Sequence, residues 1–140
     1  MIIVDSGFWL AIGNSKDQYH KIASAKFKEI EETLITTWPV VTETCYLLNS
    51  HSNQKAQSNF LSYFANGGFT CFDIKPSHLS RMLALMEKYR ELPMDLADAS
   101  LVILAEEIGT GKILSTDQRD FKSYRWKNTK PFQNLLEPFV

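Results

Sequence analysis

Pro93 to Gly109, PMDLADASLVILAEEIG, places two carboxylates at the mouth of a helix that is otherwise apolar on nearly every side. Leu96, Ala97, Ala99, Leu101, Val102, Ile103, Leu104, Ala105 and Ile108 cover most of its circumference, the pattern of a helix buried inside a fold. Gly109 supplies the stop. Asp95 and Asp98 share the first turn, where backbone N–H groups are free and the helix dipole favours negative charge. Local chemistry accounts for both, with Asp95 as N-cap and Asp98 closing a variant of the capping box. Whether they do more depends on where the other acids fall.

Working outward, the strands and helices alternate. Met1 to Asp5, MIIVD, reads as a buried first strand ending in an acid, with a turn at Ser6 and Gly7. FWLAIGN suits a short helix, and Asp17 to Thr33 carries helical spacing in Tyr19, Ile22, Ala23, Phe27 and Ile30. Leu34 to Thr37 is a second strand, and Pro39 suits the first turn of the helix after it. That helix holds Glu43, a charge amid Val40, Val41, Cys45, Tyr46, Leu47 and Leu48, which a solvent-facing position would also explain. Asn53 to Asn66 is helical and is stopped by Gly67 and Gly68. Phe69 to Ile74 is a strand. Pro76 to Leu92 is a helix with an apolar stripe of Leu79, Met82, Leu83, Met86 and Tyr89, its methionines serving the core.

After the opening helix, Lys112 to Ser115 is a short buried strand. Thr116 to Phe121 makes a turn with a short helix, and Asp117 there has the local explanation of an Asx-turn or N-cap. An edge strand is expected near Ser123 to Trp126. Arg119, Lys122, Arg125, Lys127 and Lys130, against the one acid Asp120, form a local basic patch interleaved with Phe121, Tyr124 and Trp126. This is either a solvated rim or a nucleic-acid surface with stacking groups.

The 140 residues fit a single domain, 1–140, of ordinary globular composition, 44% hydrophobic and 22% charged. A net charge of -1 gives no global field toward nucleic acid or membrane. No apolar run approaches the ~20 residues that span a bilayer, and no leader pattern is present, so no membrane partner and a cytoplasmic location are expected. Cys45 and Cys71 read as reduced core thiols. His20, His51 and His78 are scattered and match no zinc or nucleophile pattern.

Alternating elements of this kind imply a three-layer α/β/α domain with a mostly parallel sheet, which binds ligands at the carboxyl ends of its strands. Asp5, Glu43, Asp98 and Asp117 all fall on that edge. Carboxylates gathered in a cleft repel one another, and the sequence supplies no four cationic partners. A hard divalent cation, Mg²⁺ or Mn²⁺, would offset them, and such ions support phosphodiester hydrolysis.

IVDSGFWLAI, PVVTETCYLL, DLADASLVILAEE and ILSTDQRDF, in that order over nearly the whole chain, resemble the PIN-domain ribonucleases, particularly VapC-type toxins of toxin-antitoxin pairs. The resemblance carries the family's four acids onto Asp5, Glu43, Asp98 and Asp117, with Ser115 at a supporting Ser/Thr position and Asp95 at a frequent further acid. It implies Mg²⁺- or Mn²⁺-dependent cleavage of single-stranded or looped RNA to a 5′-phosphate and a 3′-hydroxyl. A homodimer and inhibition by a small cognate antitoxin are implied as well. The expected roles are metal binding by Asp5, Asp98 and Asp117, with Glu43 holding a second ion or positioning the attacking water. The rival readings are a PIN-like nuclease of RNA maturation or turnover and a non-catalytic α/β module with an acidic cation site. A response-regulator phosphoacceptor ranks below both, because no lysine follows a late strand.

Overall fold

The computed structural model describes residues 1–138; positions 139 and 140, the end of the expected 1–140 domain, lie outside the described residues. Five strands form a parallel sheet in the order β3-β2-β1-β4-β7. They are β1 (Ile2–Val4), β2 (Leu34–Thr37), β3 (Thr70–Phe72), β4 (Lys112–Leu114) and β7 (Gln133–Asn134). The first strand lies at the centre, with Ile3 opposite both Ile35 and Ile113. Its β-branched run suits a strand covered on both faces. Successive side chains alternate between two apolar clusters: Ile3, Ile35 and Ile113 enter one, and Ile2, Val4, Leu34 and Leu114 the other.

The second cluster is covered by α1 (Ser6–Gly13), α2 (His20–Glu29), α3 (Trp38–His51) and α4 (Gln54–Ala65). Trp9 packs there against Phe60 and Phe69. The first cluster is covered by α5 (Leu79–Lys88) and α6 (Leu96–Ile108), with α7 (Asp120–Ser123) behind them. Helix α6 packs on β1 and β2 and against α3 and α5. Every residue from Ala99 to Ala105 is buried, and Gly109 ends the helix in the left-handed region at φ 72°. Asp95 and Asp98 make the expected capping box. No helix among the described residues is long and apolar enough to cross a membrane.

Several local expectations change. No turn separates β1 from α1: the Asp5 carboxylate accepts the Ser6 N–H at 2.8 Å, so the helix starts on the residue after the acid. Residues before His20 stay outside α2 because Asp17 accepts the Tyr19 N–H in an Asx-turn. The Pro76 segment opens as a 3₁₀ turn, Pro76–His78, and α5 stops at Lys88. On α5 the inward face is Met82 and Leu85, with Met86 and Tyr89 packed beside them. Leu79 and Leu83 sit on the flank and remain 46% and 67% exposed. Tyr46 lies opposite the buried Thr44 on α3 and points outward. The strand near residues 123–126 is real but short, β5 (Arg125–Trp126), and pairs antiparallel with β6 (Lys130–Pro131) in a separate ribbon. The edge of the central sheet beside β4 is instead β7.

Leu101 is fully buried in α6. Leu101→Ala should lower unfolding free energy in urea by ~2–5 kcal/mol, the range for emptying a core leucine site.

Candidate active site

The central strand ends at Val4, and Asp5 follows at the carboxyl edge of the sheet, its N–H bonded to the Leu114 carbonyl at 3.1 Å. Asp5 is 7% exposed. Its Oδ1 accepts the Ser6 N–H and its Oδ2 accepts the Ser115 hydroxyl at 3.0 Å. The Ser115 hydroxyl in turn accepts the Asp117 N–H at 3.0 Å, so its own proton is left for Asp5. Asn134 of β7 brackets the Ser115 backbone, its amide donating to the carbonyl at 2.8 Å and its oxygen accepting the N–H at 3.2 Å. The sheet thereby fixes Ser115, and Ser115 fixes Asp5.

The other acids arrive from three further segments. Glu43 comes from α3 and accepts a hydrogen bond from the Ser6 hydroxyl. Asp98 comes from the first turn of α6, where its N–H donates to Asp95 Oδ1 at 2.8 Å. The Thr37 hydroxyl meets Ser100 Oγ at 2.6 Å and pins that turn to the end of β2. Asp117 follows β4, and its Oδ1 accepts the N–H groups of Arg119 and Asp120, both at 2.9 Å. All four expected acids line one cavity of about 430 Å³ with Asp95, Asp120, Ser6 and Arg119. The local explanations hold as well, since Asp95 and Asp98 cap α6 and Asp117 makes its turn. Ser115 is fully buried and meets the cavity through Asp5 and Asp117.

Burial and mutual repulsion shift the acids of this group together. Burial raises the Asp5 pKa from 3.8 to about 7; its hydrogen bonds from Ser6 and Ser115 oppose the rise, and Glu43 and Asp117 add to it. Burial likewise lifts Asp98 from 3.8 to about 8, with repulsion from Asp5 and then Asp95 contributing. Glu43 is raised by burial, against the Ser6 hydrogen bond, with further repulsion from Asp95. Asp120 is also raised, chiefly by burial.

Sequence reasoning passed over four participants. Ser6 was assigned to a turn, yet its hydroxyl joins Glu43 to the Asp5 corner. Asp120 counted only as the lone acid of the basic patch, and its spacing of three from Asp117 was the available signal. Arg119 is the one cation among the residues lining the cavity, held by Asp120 at 2.8 Å and the Leu92 carbonyl at 3.1 Å. Tyr124 donates to Asp98 at 3.2 Å. The proposed stacking groups of the basic patch do not face solvent, for Phe121, Tyr124 and Trp126 are all buried. Lys127 and Lys130 lie over the Trp126 ring instead.

Among the described residues, no three His, Cys, Asp or Glu side chains already form a metal cage. The donor set nevertheless fits a hard divalent cation: it is all oxygen, and its members repel one another for want of positive charge. Mg²⁺ commonly takes only one or two carboxylates and keeps several waters, so a closed protein cage is not required. Asp5 raises the pKa of Asp98, and Glu43 and Asp117 raise that of Asp5, which couples the four expected acids.

Three comparisons place these features beside known proteins. The family model for the PIN domain matches residues 2–127. Ribonuclease VapC26 of Mycobacterium tuberculosis (strain ATCC 25618 / H37Rv) is 25% identical over 124 residues, covering 89% of this chain and 92% of that protein. The crystal structure of Mycobacterium tuberculosis VapC20, described as a Sarcin-Ricin loop cleaving toxin, matches with a TM-score of 0.77. That match covers 85% of this chain and 92% of VapC20, and at 19% identity it speaks for the fold.

The raised carboxylates fix a pH dependence. Between the unfolded value near 3.8 and the folded values of about 7 and 8, the folded state binds more protons than the unfolded one. Metal-free stability is therefore highest below pH 4 in this contribution and is lost as pH rises through 7 and 8. Asp98→Asn should flatten that decline in urea titrations from pH 5 to 9; an unchanged slope would refute the assigned repulsion.

Proposed function

The chain belongs to the PIN domain family, and we propose that it is a divalent-metal-dependent endoribonuclease, a single nuclease domain acting as the toxin of a toxin-antitoxin pair. The observation that carries this reading is the gathering of Asp5, Glu43, Asp98 and Asp117 from four chain segments into one cavity at the sheet edge. Similarity to ribonuclease VapC26 supports the choice of RNA as substrate. Asp5, Asp98 and Asp117 would hold Mg²⁺ or Mn²⁺. When bound, such an ion offsets the carboxylate charge, polarises the phosphodiester and makes an attacking water more acidic.

The remaining work belongs to the chain. Glu43, anchored through Ser6, positions the attacking water and receives its proton; burial raises its affinity for that proton. Ser6 and Ser115 keep Asp5 in one orientation by occupying both of its oxygens from the protein side. Attack breaks the bond from phosphorus to the 3′ oxygen, leaving a 3′-hydroxyl and a 5′-phosphate. Arg119 receives the RNA backbone at the mouth of the cleft. Its Nε and Nη2 are engaged by Asp120 and Leu92, and among the described residues Nη1 has no partner. A cognate antitoxin and a second copy of the chain are the proposed protein partners, with RNA as the substrate and the cytoplasm as the location.

RNA cleavage should require Mg²⁺ or Mn²⁺ and stop with EDTA. Asp5→Asn and Asp98→Asn should each lower the rate by more than ~100-fold, beyond the usual loss from altering an outer partner of a metal site. Full activity in both variants would remove the assignment. Arg119→Ala should weaken binding of a single-stranded RNA and reduce the slope of log affinity against log salt by ~0.7, the value for one lost phosphate contact.

A further inference from the structure

Tyr124 is completely buried, yet it carries a hydroxyl into a bed of aromatic rings. Its ring meets the edges of Tyr89 and Phe121 at centroid distances of 5.0 and 5.1 Å. Packing alone would be served by phenylalanine, because a buried hydroxyl costs stability unless it is hydrogen-bonded. The hydroxyl donates to Asp98 Oδ2 at 3.2 Å. That same oxygen also faces the Asp95 N–H at 3.4 Å, whereas no hydrogen bond reaches Asp98 Oδ1 among the described residues. Asp98 thus has one oxygen claimed twice by the protein and the other left to the cavity.

The position of Tyr124 in the chain gives this contact its reach. The Tyr124 N–H donates to the Asp120 carbonyl at 2.9 Å, closing α7. The start of α7 is set by Asp117, whose Oδ1 holds the Arg119 and Asp120 N–H groups. Asp98 on α6 and Asp117 after β4 are otherwise carried by separate elements. The tyrosine hydroxyl ties Asp98 to the short helix that the Asp117 turn opens.

We propose that Tyr124 is a positioning residue of the carboxylate site: its hydroxyl turns Asp98 so that Oδ1 faces the cation, and it holds that carboxylate in register with the Asp117 turn. This rests on the metal-dependent reading above. Tyr124 touches neither RNA nor the reacting atoms and works only through Asp98.

The test measures Mn²⁺ binding to the full chain without RNA, by titration calorimetry or by the electron paramagnetic resonance of free Mn²⁺. Tyr124→Phe keeps the ring and removes the hydroxyl; it should raise the Mn²⁺ dissociation constant by about tenfold or more, as loss of an outer partner commonly does. Cleavage by the variant should recover when Mn²⁺ is raised to saturation. Tyr89→Phe is the matched control, because its hydroxyl accepts the Arg125 N–H at 3.1 Å and its ring lies in the same cluster. It should leave Mn²⁺ affinity unchanged. In an Asp98→Asn background, Tyr124→Phe should add no further loss. Unchanged Mn²⁺ affinity in Tyr124→Phe, an equal loss in Tyr89→Phe, or a full additional loss in the Asp98→Asn background would overturn the positioning role while leaving the metal reading in place. A parent protein that binds no Mn²⁺ would overturn both.

Discussion

The carboxylate of Asp5 is a charge at the end of the central buried strand, and most of the molecule's polar detail serves to keep it there. Taking an isolated carboxylate out of water is costly, and the ordinary outcome is that the group holds its proton. Here burial does raise the Asp5 pKa, and hydrogen bonds from Ser6 and Ser115 oppose the rise. Those bonds are themselves secured by the fold, since Ser115 follows β4 and is bracketed by Asn134 of β7. Three strands and the first turn of α1 therefore converge on one side chain. The adjacent Glu43 and Asp117 raise its electrostatic cost further, which a fold selected for stability alone would avoid.

The capping and site readings of the acids prove compatible because a carboxylate has two oxygens and a backbone partner commonly uses one. Asp98 spends Oδ2 on Tyr124 and the capping box, and Asp117 spends Oδ1 on the start of α7. Both side chains line the cavity all the same. Capping in this protein is the means by which a helix terminus aims an acid. The helix end is rigid because α6 is buried along its length and pinned at Ser100 by Thr37.

The basic segment after Asp117 left two readings open, a solvated rim and a stacking surface. Phe121, Tyr124 and Trp126 turn inward to complete the core beside α6, which agrees with the rim. Lys122 pairs with Glu137, and Arg125 bonds neighbouring carbonyls. Of that group Arg119 alone lines the acidic cavity. Likewise Leu79, Leu83 and Tyr46 read as apolar-face residues in sequence and lie outward, because helical spacing gives the stripe but not which of its flanks the neighbouring element covers.

The sequence by itself determined the parallel α/β order, the buried character of α6, its cap and stop, and the acids Asp5, Asp98 and Asp117 at strand and helix termini. These follow from local chemistry: β-branched runs, apolar periodicity, capping spacing and the left-handed freedom of Gly109. Only the tertiary structure decided that Ser6 joins Glu43 to Asp5, that Asn134 fixes Ser115 and that the Tyr124 hydroxyl ends on Asp98. Those contacts join residues 37, 19 and 26 positions apart. No local periodicity encodes such pairings, because they depend on which strand edges and helix ends the packed core brings together. The family resemblance already separated the two aspartates of Pro93–Gly109; the structure leaves Asp95 exposed, half-buries Asp98 and sets a tyrosine from another element on it.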